Sequence, residues 1–425
     1  MSLFGNLFQG SSDQEHYLAL DIGTDVVKAL IFRIDKKAKK GFVIGVGKQK
    51  QKPGNMLSGG VADIEGVIAT CRIALDIAMK KSKTKYIEKA TMGIAGELVK
   101  GTTTTVHYER IRSDTKIDAL EMREIMQQVQ EKAAERIKSQ IEWETGQNSI
   151  RIQLINSAIV NMRIDGYKVT NPIGFQGTNV SISIFNAYAP LIHLGALETI
   201  ADALNISSTN IIAEPYAVSR VLATEDDRDF NAIFIDVGGG TTDVAVVRNG
   251  GLDGTKMYAI GGHAFTKHIS QELCVSFDEA EKAKLAHVSG DTEWRHPKIH
   301  SEDIASILRE DVGIWLGGLQ LSLSEFLKND VLPGKIFLCG GGTALPEIVQ
   351  ALMSEEWKRS LFFPSQVEIK YLVPQDVFAM EDETKELILP QDVTPLALAN
   401  NMIEMFSEEK AISNILRRTA KEIDI

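Results

Sequence analysis

The stretch NAIFIDVGGGTTDVAVVRNG, residues 231–250, decides the fold that we predict for this chain. An apolar run ends in an acidic, glycine-rich turn, and a second apolar run follows, which is the pattern of a β-hairpin. Glycine lets the backbone approach an anion closely, and successive N–H groups in such a turn form an anion-binding nest. The candidate phosphate-binding residues are Gly238, Gly239, Gly240, Thr241 and Thr242, and Asp236 ends the first strand.

The same pattern occurs earlier, in YLALDIGTDVVKALIF, residues 17–32. Here the turn contributes Asp21, Gly23 and Thr24, and the ammonium of Lys28 on the return strand can neutralise a phosphate. Taken alone, DIGT is equally typical of an ordinary hairpin turn. Together, the two hairpins predict two related halves. The strands and helices that alternate through both halves favour an α/β fold.

Asp21 and Asp236 end equivalent strands, so they face each other if the two halves close on one another. Two carboxylates in such a cleft suit Mg²⁺, which keeps most of its waters and contacts phosphate oxygens. We therefore predict a Mg²⁺ site at Asp21 and Asp236, beside a phosphate-binding cleft between the halves.

Three further segments fit a nucleotide in that cleft. Gly262 follows a strand and precedes a predicted helix. Glu281 and Lys284 share a helix face at i,i+3, where they either hold ribose hydroxyls and an adenine edge or form a surface ion pair. KIFLCGGGTALPEI, residues 335–348, predicts a strand, a turn and a helix; the turn either lies flat against a base or sugar or only caps the helix. Its candidate residues are Gly340, Gly341, Gly342 and Thr343.

Glu214 is the candidate catalytic residue. It stands in IIAEPYA, residues 211–217, where a strand ends and a helix begins. Its carboxylate can orient a water for attack on a γ-phosphate. It can equally be an acidic residue that favours the N-terminus of the helix dipole. The sequence leaves both interpretations open.

Residues 97–187 interrupt the α/β rhythm. A long amphipathic helix is predicted over 117–141, with Asp118 and Glu121 at capping-box spacing and Ile125, Val129, Ala133 and Ile137 on one face. Short strands are predicted around it, at 102–110, 149–157, 158–165 and 179–189. One helix with several strands indicates a small α+β subdomain inserted in the first half.

Composition limits the remaining possibilities. The 425 residues carry a formal net charge of −11, and 44% of them are hydrophobic, which is ordinary for a folded protein of two or three domains. The acidic balance argues against nucleic acid as a partner. Three widely spaced cysteines fit neither a disulfide framework nor a metal site, so we expect a reducing cytosol. We expect neither a signal peptide nor a membrane span.

The set DIGT with its lysine, DVGGGTTD, EPYA, AEKAK and CGGGTALP, in this order, resembles the actin-like ATPase superfamily. Within it, LINSAIVNMRIDGYKVTNPIGFQG, residues 154–177, resembles the insertion of the FtsA family of cell-division proteins. This resemblance implies an actin-like, ribonuclease H-like fold of two halves that binds ATP and Mg²⁺ and hydrolyses ATP weakly. It also implies that Asp21, Gly23, Thr24 and Lys28 form a first phosphate loop, Gly238 to Thr242 a second, and that Glu281, Lys284 and Gly340 to Thr343 contact the nucleoside.

The resemblance also implies the domain organisation. The first half comprises 17–96 and 188–230, and the SHS2-like insertion comprises 97–187. The second half comprises 231–400, with a short outer subdomain at about 265–330. An N-terminal apolar segment with its linker, 1–16, and a C-terminal tail, 401–425, flank these parts.

For function, the resemblance implies a scaffold at the cytoplasmic face of the membrane, at the division site. It would polymerise with itself, tether the FtsZ ring through the FtsZ C-terminal tail, and contact lipid through a terminal amphipathic segment. Ile412, Ile415, Leu416 and Ile423 form an apolar face in 408–425, and the segment 1–11 is a second candidate anchor. Two alternatives stay open: a PilM-like ATP-binding scaffold of type IV pilus assembly, and a metabolic kinase of the same superfamily.

Overall fold

The computed structural model describes residues 15–87, 89–96, 99–146, 151–206, 209–222, 229–291, 293–327, 331–364 and 366–407. Both candidate anchors, 1–11 and 408–425, lie outside the described residues. None of the helices in the described part has the length and hydropathy that a membrane span needs.

The described residues form strands and helices that alternate along the chain. The strands are β1 Tyr17–Ile22, β2 Val26–Asp35, β3 Lys40–Lys50, β4 Met56–Leu57, β5 Gly60–Val61, β6 Lys89–Ile94, β7 Lys100–Glu109, β8 Ile152–Ile164, β9 Tyr167–Lys168, β10 Asn179–Pro190, β11 Thr209–Ala213, β12 Ala232–Val237, β13 Thr242–Arg248, β14 Gly251–Tyr258, β15 Lys335–Cys339, β16 Glu368–Tyr371 and β17 Met380–Asp382. The helices are α1 Ile64–Ser82, α2 Ala119–Thr145, α3 Leu191–Ala203, α4 Glu214–Ser219, α5 Gly262–Glu272, α6 Phe277–Ser289, α7 Ser301–Ser324, α8 Pro346–Met353, α9 Glu355–Ser360 and α10 Val393–Ser407.

Two sheets repeat one strand order. In the first sheet the order is β11-β6-β1-β2-β3-β17, and in the second β16-β15-β12-β13-β14 leads into the strands of the insertion. In each, a three-stranded antiparallel meander is followed by two parallel strands beside its first strand. The predicted α/β architecture with two related hairpins is therefore present.

Each sheet is covered by apolar faces on both sides. The helices α1 and α10 pack on the first sheet, and one face of the second sheet joins the same hydrophobic core through Phe234 and Ala245. The alternate residues Ile233 and Ile235 point to the opposite face, where they pack with Phe265 of α5. This alternation explains why both hairpin strands read as continuous apolar runs, since strands covered on both faces have no polar side.

The insertion consists of α2 on a sheet of β7, β10, β8 and β9. Ile125, Val129, Ala133 and Ile137 are all buried, as the helical pattern predicted. Asp118 caps the helix by accepting from the N–H groups of Leu120 and Glu121. No reciprocal capping box forms, because the Glu121 carboxylate instead binds the buried guanidinium of Arg110 at 2.7 and 2.8 Å.

Two expectations about strands differ from the structure. The two strands predicted at 149–157 and 158–165 are one strand, β8, which pairs with β10 along its length and absorbs two register shifts. The residues of the predicted second half, 231–400, are also divided between the two sheets. β17 pairs with β3, and α10 packs against β1, β2 and β6, so the last described residues lie with the first sheet.

The acidic stretch 380–386 lies where the chain returns to the first sheet, and it forms ion pairs there. Glu383 pairs with Arg33 at 2.6 Å, and Glu386 pairs with Lys81 at 2.6 Å. Both pairs are partly exposed, so each contributes little energy. They lie just beyond the edge strand β17, whose position is set by its pairing with β3.

The predicted outer subdomain is helical in its described residues. Between about 265 and 330 these form α5, α6 and α7 and one isolated bridge, His296 to Ile299. The capping box at Ser276 and Glu279 starts α6 and so fixes the face that carries Glu281 and Lys284.

Candidate functional site

A cavity of about 450 Å³ lies between the two sheets, within the size range of small-molecule sites. Most of the predicted site residues line it, although they come from segments far apart in the sequence. They are Asp21, Gly23, Thr24, Lys28, Glu214, Asp236, Gly238, Gly239, Gly240, Thr241, Gly262, Glu281, Lys284, Gly340, Gly341 and Gly342.

In the first hairpin, Asp21 and Lys28 are opposite each other on β1 and β2. The Lys28 ammonium donates to the Asp21 carboxylate at 3.1 Å and to the backbone oxygen of Gln391 at 2.7 Å. Burial lowers the pKa of Lys28, but the charge and hydrogen bond of Asp21 outweigh it, and the pKa is raised. The first loop therefore carries a charged lysine that already has a carboxylate partner.

In the second hairpin, the residue opposite Asp236 is Asp243. Both side chains are buried. Burial raises the pKa of Asp236, although Thr394 donates to its carboxylate. Burial, together with the charge of Asp236, raises the pKa of Asp243 well above its usual range. The second loop therefore holds two facing carboxylates and lacks the lysine that balances the first.

Asp243 is a site residue that the sequence analysis did not select. It lines the cavity, and its Oδ1 atom is buried without a hydrogen-bond partner. The signal was present, since Asp236 and Asp243 have the same spacing as Asp21 and Lys28.

The two turns touch each other at the glycines. A Cβ atom on Gly240 would lie 2.5 Å from the hydroxyl oxygen of Thr24, and one on Gly239 would lie 3.0 Å from the Asp25 side chain. Gly340, at φ +86°, would place a Cβ atom 2.1 Å from Asp236 Oδ1. These glycines are therefore required for close approach of neighbouring loops as well as for any approach of backbone to an anion.

Glu214 is the first residue of α4, and Pro215 follows it in the first turn. Gly93 on β6 makes room for it, because a Cβ atom there would lie 2.6 Å from Glu214 Oε1. Burial, and then the charges of Asp21, Asp243 and Asp236, raise the pKa of Glu214 well above its usual range. The side chain is thus both a helix N-terminal acid and part of the cavity wall, and its catalytic role stays a prediction.

Glu281 and Lys284 form an ion pair at 2.9 Å whose side chains are 13% and 8% exposed, so they are not a surface pair. Lys284 also donates to the backbone oxygen of Gly262 at 2.9 Å and to the Thr266 hydroxyl at 2.7 Å. Leu285, Val288 and Leu345 line the same end of the cavity. This end offers apolar surface beside a fixed pair of charges.

Two predicted residues do not line the cavity. Thr242 begins β13 on the face opposite Thr241, donates to the Ile260 oxygen and accepts from the Trp315 indole at 2.9 Å. Thr343 is fully buried, and its hydroxyl donates to the Gly340 oxygen at 2.7 Å. Both hydroxyls therefore hydrogen-bond to backbone beside the turns and do not face the cavity.

The cavity also contains Asp25 and His263, which the sequence analysis did not select. Asp25 follows Thr24 in the first turn, and His263 is the second residue of α5. Asp25 Oδ1 lies 3.0 Å from His263 Nε2. Only packing brings these residues together, and no local pattern predicts the contact.

The donor set bears on the predicted Mg²⁺. Within the described ranges, no three carboxylate, histidine or cysteine side chains converge as a metal centre. The unpartnered Asp243 oxygen and its neighbour Asp236 are nevertheless donors of the type that Mg²⁺ prefers. The residues therefore fit a cation that takes its other ligands from water and phosphate. Asp243 suits the role of metal ligand better than Asp21, because Lys28 neutralises Asp21.

The family model described as "Cell division protein FtsA" matches residues 233–386. Cell division protein FtsA of Neisseria meningitidis serogroup B is 26% identical over 392 residues, covering 88% of this chain and 87% of that protein. FtsA of Streptococcus pneumoniae serotype 2 is 27% identical over 374 residues, covering 83% and 77%.

Among solved structures, a chain of the PilM-PilN type IV pilus biogenesis complex superposes with a TM-score of 0.64 at 16% identity. The match covers 91% of this chain and 98% of that chain. It shows a shared fold only, because the identity is low. The predicted fold class is confirmed: the chain has an actin-like α/β fold. Over most of its length its sequence resembles the cell-division protein FtsA, as predicted.

Proposed function

We propose that this chain is an ATP-binding, actin-like scaffold of bacterial cell division. In this role it polymerises at the cytoplasmic face of the membrane, at the division site, and tethers FtsZ. The sequence similarity to FtsA supports the cell-division assignment. The observation that carries the nucleotide proposal is the cavity itself, into which two glycine-rich turns and the Glu281–Lys284 pair converge.

Each wall of the cavity suits one part of ATP. The backbone of Gly23 and of Gly238 to Thr241, with the Thr24 and Thr241 hydroxyls, would receive the phosphates. The Lys28 ammonium would offset phosphate charge. A bound Mg²⁺ would supply the remaining charge neutralisation, held by Asp243 and Asp236. Glu281, Lys284 and the turn of Gly340 to Gly342 would contact the nucleoside.

Turnover in such a site should be slow. Glu214 is the candidate for orienting water, and its raised pKa favours the protonated form, which is a poor general base at neutral pH. Outside the carboxylates that face the metal site, the other titratable side chains described above in the cavity wall already have partners, since His263 is bonded to Asp25 and Glu281 is paired with Lys284. A scaffold that retains ATP for long periods fits this arrangement better than a kinase, which needs an acceptor site.

Calorimetry on the full chain tests the nucleotide proposal. We expect wild type to bind Mg·ATP, and the double variant Asp21→Ala and Asp236→Ala to lose most of the affinity. Asp76→Ala, an exposed carboxylate on α1, is the matched control and should bind as wild type does. Undiminished affinity in the double variant would show that the cavity is not the site.

A PilM-like pilus scaffold is the second candidate. The observation that supports it is that a chain of the PilM-PilN complex shares this fold over 91% of the present chain. Binding of the full chain to labelled peptides separates the two functions. The FtsZ C-terminal tail should bind if the chain serves division, and a peptide from a PilN-type protein should bind if it serves pilus assembly.

Filament formation and membrane contact complete the proposal. Head-to-tail stacking of one actin-like unit on the next is a heterologous contact that need not close. Liposome co-sedimentation of the full chain, of a chain ending at Ser407 and of a chain starting at Ser12 identifies the anchor. We expect loss of 408–425 to release the protein from lipid. Loss of binding only without 1–11 would assign the anchor to the N-terminus.

A further inference from the structure

One hydrogen bond joins the two halves at the edge of the cavity. His263 Nε2 and Asp25 Oδ1 are 3.0 Å apart, and their side chains are 31% and 35% exposed. Asp25 belongs to the β1–β2 turn of the first sheet, and His263 belongs to α5, which packs on the second sheet. Both residues line the cavity, so their contact bridges two of its walls.

Each partner is held firmly by its own surroundings. The Asp25 backbone oxygen accepts from the N–H of Gln51 at 2.7 Å, at the end of β3. The N–H of His263 donates to the Gly239 oxygen at 2.8 Å, and its ring meets the Phe277 ring edge-on at 5.4 Å. A separation of the two turns would therefore lengthen or break this hydrogen bond, because the backbone of each residue is anchored in its own half.

The charges around Asp25 keep it a strong acceptor. The hydrogen bond from His263 lowers the pKa of Asp25 despite burial, and Lys50 and Lys284 add to the effect. The Lys50 ammonium lies 3.8 Å from the same Oδ1 atom. An ionised acceptor makes a stronger hydrogen bond than a neutral one.

The other close contacts between the two turns are of a different kind. Gly240 packs on Thr24 and Gly239 packs on Asp25 through van der Waals contact, which places the turns but has little directional preference. The Asp25–His263 bond adds a directional, charge-assisted link at the same place.

We propose that the Asp25–His263 hydrogen bond is a latch across the cleft that sets the rate at which nucleotide leaves. This inference rests on the proposed function, since it requires nucleotide in the cavity. Asp25 and His263 act as positioning residues: they hold the halves together around the ligand. Opening the latch should change the dissociation rate far more than the association rate, because the walls that receive the phosphates remain in place.

Stopped-flow release of a fluorescent ATP analogue, chased with excess Mg·ATP, measures the effect on the full chain. We expect Asp25→Ala and His263→Ala each to speed release about tenfold, the equivalent of 1.4 kcal/mol. The double variant should be no faster than either single one, since both remove the same bond. His263→Gln keeps a side-chain N–H donor and should retain most of the slow release.

Lys267→Ala is the matched control, because Lys267 is exposed on the same helix. It should release nucleotide at the wild-type rate. Release rates within twofold of wild type in both alanine variants, or effects that multiply in the double variant, would overturn the latch alone. A wild-type chain that does not bind the analogue would overturn the proposed function and the latch together.

Discussion

The hairpins β1–β2 and β12–β13 place an aspartate at the same point and face it with opposite charges. Asp21 is opposite Lys28, whereas Asp236 is opposite Asp243. Side chains at opposite positions of an antiparallel pair are close neighbours, so like charges repel there and unlike charges attract. The first hairpin is balanced by its own lysine, whereas the second pairs two carboxylates, which suits the Mg²⁺ that we propose. The two copies of the hairpin therefore share a backbone arrangement and differ in the charge that faces their aspartate.

Making the second hairpin like the first should have the largest effect. In Asp243→Lys the new ammonium would face Asp236, as Lys28 faces Asp21, and would occupy the place of the metal. We expect the affinity for Mg·ATP to fall at least 100-fold, about 2.7 kcal/mol, and any residual ATP binding to become independent of Mg²⁺. Calorimetric titrations with Mg²⁺ and with a chelator measure both effects. Unchanged Mg²⁺ dependence would contradict the comparison.

Removing the cation of the first hairpin should lower the stability of the fold. Lys28→Met leaves the Asp21 carboxylate buried without a cation and the Gln391 oxygen without its donor. We expect the free energy of unfolding to fall by about 3 kcal/mol in denaturant titrations, with partial recovery in the double variant Lys28→Met and Asp21→Asn. Lys36→Met, which breaks an exposed pair with Glu15, should cost less than about 1 kcal/mol. Equal losses in both would mean that Asp21 needs no partner.

The carboxylates of the second hairpin also act on Glu214, whose pKa they help to raise. Because its pKa is raised, Glu214 keeps its proton to a higher pH than an exposed glutamate does, so we expect it to orient water through hydrogen bonds. We expect Glu214→Ala to slow ATP turnover about 10- to 100-fold and Glu214→Gln to slow it less, because the amide keeps a donor and an acceptor. Phosphate release under saturating ATP measures this. Equal losses in the two variants would favour a general base.

The smallest expected effect concerns pH. The raised pKa values of Asp236 and Asp243 mean that the folded state holds more protons than the unfolded state from about pH 4 up to those values. Stability therefore falls as pH rises through that window. Without Mg²⁺, Asp243→Asn should be about 1 kcal/mol more stable than wild type at pH 8, and the gap should close near pH 4. Thermal melts of both proteins across this pH range measure the difference in stability. A difference that grows as pH falls would contradict the prediction.

Local patterns predicted much of this molecule. The glycine-rich turns, the helix start at Glu214 and the i,i+3 spacing of Glu281 and Lys284 all depend on neighbours in the sequence, and the structure places them in one cavity. The strands predicted at 149–157 and 158–165 meet beside the polar residues Asn156 and Ser157. Both residues are instead accommodated inside β8, where Asn156 accepts from the N–H of Ala213 and Ser157 bonds Asn186.

What the sequence did not reveal depends on packing between distant segments. The contact of Asp25 with His263 and the pairing of β17 with β3 have no periodicity of their own. The role of Asp243 was accessible, since its spacing from Asp236 matches that of Lys28 from Asp21. The glycines and threonines identify the turn itself and say nothing of the residue that the turn places opposite Asp236.

The helix α10 gives the molecule a mechanical connection. Near its start, the Thr394 hydroxyl donates to Asp236 in the cavity, and near its end Asn210 and Arg220 contact Met405 and Glu404. Fifteen helical residues span about 22 Å as a stiff rod. Because this rod packs on the first sheet and its first turn bonds the second hairpin, it bridges the two halves at the wall of the cavity.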